Sequence, residues 1–228
     1  MVARIRGSFS ERRIVLVACL AVLSMLVIAM IVFQIAYTGT SEHSAIAWNL
    51  LLAWIPFWLA LIVYDRSRSG ASTLTLGAAA VLWLLFLPNA PYIVTDLKYI
   101  DGFSGLEALY NLVLLTSAAF TGLLLGLTSL FIVHAVARRL VGALNAWALV
   151  VAVLTLSSFG IYLGRVQRWN PWDVFVRPGS LFGDVAAGLT DPLSHQRPIA
   201  VTILFTSFLL ASYLVFYSVA RLSSLASD

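Results

Sequence analysis

Charge is what this sequence has least of. Only 11% of its 228 residues are charged while 61% are hydrophobic, and the mean hydropathy is +0.96. An ordinary soluble domain carries about 25% charged residues. Apolar surface this abundant cannot all be hidden in one small core, so the deficit points to a polytopic membrane protein. Cysteine is nearly absent. The single Cys19 excludes an intramolecular disulfide and any multi-cysteine metal site. Leu16-Val17-Ala18-Cys19 has the look of a lipoprotein cleavage box, yet only Ile14 and Val15 separate it from Arg12-Arg13. A signal h-region needs roughly 7–15 apolar residues, so Cys19 reads as a small membrane-buried hydrophobe. The run Ile14 to Ala36 is too long for a signal peptide and reads as an uncleaved first span. No pair of histidines has ligand spacing and no His-Glu motif occurs, so neither a zinc site nor a cofactor is expected. No Gly-x-Ser-x-Gly occurs, and Ser157-Ser158 read as helix-to-helix hydrogen bonding. The net charge of +4 is spread between apolar spans without a basic stripe, which argues against a nucleic-acid partner.

What is present is a set of six apolar runs, each long enough, or nearly so, to cross about 30 Å of hydrocarbon as helix. They are residues 14–37, 45–64, 73–97, 109–133, 143–163 and 199–220. The third needs Ala90 to Leu97 as a kinked continuation, because Pro88 and Pro91 disrupt the backbone ladder. Pro56 suggests a kink in the second. Ser104 and Glu107 have capping-box spacing, which places the start of the fourth helix. Ala118, Gly122 and Gly126 repeat every four residues, as do Gly160 and Gly164, and predict close-packing faces.

Loop charge gives sidedness. Side one, which carries the N-terminus, holds nine basic residues against three acidic; side two holds five against seven. By the positive-inside rule side one is cytoplasmic and both termini lie inside. The polar residues collect on the other side. Asn49, Asn89, Tyr92, Thr95, Asp96, Tyr110 and Asn111 fall at side-two helix ends, and Arg165, Gln167, Arg168, Asn170 and Asp173 follow the fifth span. Polar groups at membrane depth are costly and normally face the bundle interior, where they find each other. Arg165 and Arg168 suit a planar bidentate partner, either a carboxylate or a phosphate. Three roles fit Asp96: an interfacial residue in water, an ion pair to Arg165 or Arg168, or a catalytic or ligand-binding carboxylate. The Pro-Asn-Ala-Pro stretch fits a helix end in which Asn89 satisfies freed carbonyls. It equally fits a broken helix that exposes its backbone to a ligand. Trp48, Trp54, Trp58, Trp169 and Trp172 read as belt or packing residues, and His134 as an interfacial histidine. Leu181, Val185 and Leu189 give the stretch 180–189 one apolar helical face.

Three blocks together resemble a known family. They are Trp48-Asn49-Leu50 through Ala53-Trp54-Ile55-Pro56, then Leu87-Pro88-Asn89-Ala90-Pro91-Tyr92 with Thr95-Asp96-Leu97, then Gly164-Arg165 with Arg168-Trp169-Asn170 and Trp172-Asp173. This pattern resembles the bacterial membrane family known as domain of unknown function 1361, from about Ala45 to the end of the chain. Pro171 stands where a small polar residue is expected. The resemblance implies a polytopic inner-membrane protein and brings no activity with it.

The sequence therefore predicts an all-α, six-helix transmembrane bundle forming a single domain over residues 1–228. A short amphipathic or re-entrant helix should lie between spans 5 and 6, with both termini cytoplasmic and the whole in the bacterial inner membrane. A polar site is expected at the outer face. Its catalytic candidates are Asp96 and Asp173; its ligand-binding candidates are Asn49, Asn89, Tyr92, Asn111, Arg165, Arg168 and Asn170. Three function classes stay open. In the first, the site binds, and in an enzyme would process, an anionic lipid head group or lipid-linked envelope precursor. Arg165 and Arg168 then hold phosphate, Asp96 or Asp173 is base or orienter, and the 180–189 helix is a lid. The second is a small transporter lined by the broken third span. The third is a non-enzymatic scaffold, partnered by an envelope complex or by copies of itself, with Asp96 and Arg165 a structural pair.

Overall fold

A computed structural model describes residues 2–41, 43–100, 105–169, 173–180, 183 and 196–225. The described residues are predominantly helical, without a strand. In chain order the elements are α1 (Val2–Thr38), α2 (Ser44–Arg68), α3 (Thr73–Phe86), α4 (Asn89–Tyr92), a 3₁₀ helix (Ile93–Ile100), α5 (Gly105–Val141), α6 (Ala143–Val166), α7 (Asp173–Val176) and α8 (Gln196–Leu225). Six segments are long and apolar enough to cross a membrane: Arg13–Thr38, Ser44–Arg68, Thr73–Tyr99, Gly105–Val141, Ala143–Val166 and Pro198–Leu222. The molecule is a multi-pass membrane protein. Ser104, half of the expected capping box, lies outside the described residues, as does most of the stretch 180–189; of the latter, Ser180 and Gly183 are helical.

The third span breaks where its prolines fall. At 1.5 Å per residue the 14-residue α3 reaches only about 21 Å, short of the roughly 30 Å of hydrocarbon. Pro88 and Pro91 have no N–H to continue the ladder, and the local groups find other partners. Asn89 Nδ2 donates to the Phe86 carbonyl at 2.9 Å, Ala90 N–H to Leu87 at 3.2 Å and Tyr92 N–H to Pro88 at 3.0 Å. The Thr95 hydroxyl donates to the Tyr92 carbonyl at 2.6 Å. Asn89 thus does cap freed backbone.

The broken segment lies deep in the bundle because α5 and α6 present glycine to it. A Cβ on Gly122 would stand 2.5 Å from the Ala90 carbonyl oxygen and 2.8 Å from Ile93 Cδ1. One on Gly126 would meet Ala90 Cβ at 3.1 Å, and one on Gly160 would meet Pro88 Cγ at 2.7 Å. Ala90 and Ile93 are fully buried. The two small-residue faces expected from the sequence therefore receive α4 rather than a neighbouring long helix.

α5 is the central element, packed on α1, α2, α4, the 3₁₀ helix and α6, while α8 lies against α6. Hydrogen bonds tie α5 to its neighbours across the core. Trp83 Nε1 donates to the Ser129 hydroxyl at 2.6 Å, which donates in turn to the Pro56 carbonyl at 3.0 Å. α2 runs on through Pro56. Ser158 bonds back to Leu154 of its own helix, so it does not make the interhelical bond expected of it, and the Ser157 hydroxyl is buried without a described partner. His134, expected at the interface, is buried within the protein. α5 runs past it to Val141, and His134 is only 2% exposed.

The close approach at Gly122 predicts that Gly122→Val destabilises the protein by about 1–3 kcal/mol, the usual cost of overpacking. Gly77, whose Cβ would meet nothing within 4 Å, should tolerate Ala without loss. Thermal unfolding of the two purified variants in detergent checks the contrast.

Candidate functional site

The 3₁₀ helix carries Asp96 inward, where it is only 4% exposed. Its Oδ1 takes Arg165 Nη1 at 2.9 Å, and its Oδ2 accepts Asn49 Nδ2 at 3.2 Å. One carboxylate so joins the start of α2, the broken third span and the end of α6. Arg165 also donates through Nη1 to the Tyr92 hydroxyl at 3.3 Å and through Nη2 to the Thr95 carbonyl at 2.7 Å. Its guanidinium carbon lies 5.3 Å from the Tyr92 ring centre and 5.1 Å from that of Tyr99, within cation–π range of both. The Nε–H donor of Arg165 is buried with no described partner.

Beside this group, between α2, α3 and α6, a cavity of about 630 Å³ opens at the side-two end of the bundle. Asn49, Asn89, Tyr92, Lys98, Arg165 and Arg168 supply its polar wall; Trp48, Tyr99 and Trp169 supply aromatic surface; Leu84, Leu85, Leu156 and Phe159 supply apolar surface. Among the described residues no acidic side chain lines it, since Asp96 stands behind Arg165. Its lining charge is therefore positive. Arg168 is held in the left-handed region at φ 60°, the only non-glycine residue there among those described. The turn is fixed by the Trp169 N–H, which reaches back to the Leu163 carbonyl at 3.2 Å. A non-glycine residue in this conformation costs of order 1 kcal/mol, and such strain clusters at ligand sites.

Of the site residues expected from sequence, Asn49, Asn89, Tyr92, Arg165 and Arg168 share the cavity wall and Asp96 backs it. Asn111 belongs elsewhere. It is buried between α1 and α5, where its Oδ1 accepts Gln34 Nε2 at 3.1 Å. Asp173 opens α7 and pairs with Arg177 at 3.2 Å, away from the cavity wall. Arg177 also lies 5.6 Å from the Trp169 ring centre. Asn170 lies outside the described residues. Lys98 and Tyr99 were not singled out from sequence. Their signal is the three-residue turn of a 3₁₀ helix, which sets Tyr99 over the same arginine that Asp96 pairs with.

A second polar group lies in the side-one half. His134 Nδ1 is 2.7 Å from the Tyr213 hydroxyl, and Arg138 Nη1 donates to the Tyr217 hydroxyl at 2.6 Å. Trp147 packs edge-on against the His134 ring at 4.7 Å between centres.

The family model described as "Protein of unknown function (DUF1361)" matches residues 48–212. The chain belongs to this family. Every residue lining the cavity, from Trp48 to Trp169, falls inside the DUF1361 match, while α1 precedes it. Comparison with curated proteins and with solved structures gives no match.

Removing one partner of a buried ion pair strands the other, a loss of about 3–5 kcal/mol, whereas replacing both by apolar residues is far milder. Asp96→Leu and Arg165→Leu should therefore each destabilise strongly, and the double variant less than either. A double-mutant cycle in detergent denaturation reads the coupling; additive losses would contradict it.

Proposed function

We propose that this cavity binds the anionic head of a membrane lipid or lipid-linked precursor. The observation that carries the reading is a cavity at the side-two end of the bundle lined by Lys98, Arg165 and Arg168 with no acidic side chain among its described lining residues. An oxyanion there could take charge-assisted hydrogen bonds from Lys98 and Arg168. Asp96 and Asn49 act as positioning residues: they fix the plane of the guanidinium, and the Tyr92 and Tyr99 rings confine it. Lys98 and Arg168 supply the charge that Asp96 does not offset. With both Asp96 oxygens engaged, the arrangement supports binding rather than acid–base chemistry by this carboxylate. Loop charge supports placing side two outside, with both termini in the cytoplasm of a bacterial inner membrane.

The transporter reading has one observation in its favour, the buried His134–Tyr213 pair and the half-buried Arg138–Tyr217 pair in the opposite half. Between the two polar groups stand Leu87, Leu127, Leu130, Leu154 and Leu209, around a void of only about 10 Å³. A polar cargo would meet this apolar core, which favours a site open to one side.

Native mass spectrometry of the protein in mixed-lipid nanodiscs tests the proposal. Anionic lipid should bind in preference to phosphatidylcholine. Arg168→Ala and Lys98→Ala should each weaken it by about tenfold, as expected for a lost charge-assisted hydrogen bond. Unchanged anionic lipid in Arg165→Ala would sink the reading.

A further inference from the structure

α3 packs on α2 and makes no extended contact with α6. The two helices instead flank a fissure. In the side-one half this is a mostly apolar groove of about 600 Å³, with Leu76, Gly77 and Ala80 of α3 facing Ala146, Val150 and Val153 of α6 across it and His134 of α5 also in its wall. In the side-two half the same two helices line the cationic cavity, and Leu84 belongs to both. A polar, positively charged end thus continues into an apolar slot between two transmembrane helices. That is the shape of a lipid lying along the protein, with its head at Arg165 and its chain directed toward Ala146.

The length of the fissure narrows the class of lipid. Its lining on α6 runs from Ala146 to Arg165, a rise of about 28 Å at 1.5 Å per residue. One leaflet supplies only about 15 Å of hydrocarbon, half of the full core. The tail of an ordinary phospholipid with its head at side two would end near the midplane, at the level where the groove begins. We infer that the occupant is a polyprenyl phosphate, whose single chain is long enough to fill the groove in the opposite leaflet. The inference rests on the lipid-head reading above and adds the chain to it.

The test uses full-length protein in phosphatidylcholine nanodiscs, with binding read by native mass spectrometry. The probes are a long-chain polyprenyl phosphate, farnesyl phosphate and phosphatidylglycerol. The long-chain phosphate should bind about tenfold more tightly than the other two. This comparison needs no variant. Gly77→Phe combined with Ala80→Phe places rings in the groove, where a Cβ on Gly77 meets nothing within 4 Å. It should bring the long-chain phosphate down to the farnesyl level and leave farnesyl phosphate unchanged. Equal affinity for long and short chains, or a groove-filling variant without effect, overturns the chain proposal while the head reading stands. So does a preference for phosphatidylglycerol, or a dimer that occludes the groove. If no phosphate binds, or none responds to Arg168→Ala, the head reading itself falls.

Discussion

A proline has no N–H to give, and a membrane interior has no water to replace it. Two prolines three residues apart, Pro88 and Pro91, therefore set the constraint around which the side-two half of this protein is arranged. Span 3 cannot finish its crossing as an α-helix, so it finishes as a single turn and a 3₁₀ helix. The carbonyls released at the break are taken up by Asn89, Thr95 and the local backbone. The segment then needs a place from which lipid is excluded, and the glycines of α5 and α6 provide it. With the backbone drawn in this far, Asp96 stands inside the protein rather than at its surface.

A buried carboxylate would be intolerable alone, and Arg165 with Asn49 answers it. The same pair fixes how α2, span 3 and α6 meet, so the walls of the cavity and the charge within it have one origin. Asp96 neutralises the arginine that is most enclosed. Lys98 and Arg168, nearer water, keep the cavity positive. The opposite half meets a similar problem with aromatic hydroxyls: Tyr213 partners His134 Nδ1 and Tyr217 accepts from Arg138, while His134 Nε2 is buried without a described partner.

Hydropathy along a chain reports depth in a membrane, and what depth determines was legible in the sequence. The six crossings, the failure of the third at its prolines, the small faces of α5 and α6 and the gathering of polar residues at one end could all be read from it. Azimuth was not legible. Asn111 falls at a side-two helix end in the sequence, as Asp96 and Asn49 do, but its side of α5 faces α1 and Gln34. Nothing in a one-dimensional pattern separates the two directions. Tyr99 and Lys98 escaped notice because the segment that holds them turns every three residues, not every 3.6. The burial of His134 was not legible for a different reason. The apolar run ends near it, but α5 continues for two further turns to Val141, so the end of hydrophobicity was not the end of the helix. The family match covers the cavity and carries no chemistry, which leaves function to the geometry alone.

The cradle for α4 also bears on how such a chain comes to be assembled. Synthesis runs from the N-terminus, so the proline-broken end of span 3 leaves the ribosome before the helices that will enclose it. Gly122 lies about 30 residues further on and Gly160 about 70. Until α6 is inserted, the break has only α2 and the advancing α5 for shelter, and the Thr95 carbonyl and the Asp96 carboxylate still lack Arg165. The side-two half of span 3 is thus a late-maturing element in an early part of the chain. A nascent protein whose α6 fails to dock would hold Asp96 against Asn49 alone, a carboxylate without its counter-charge.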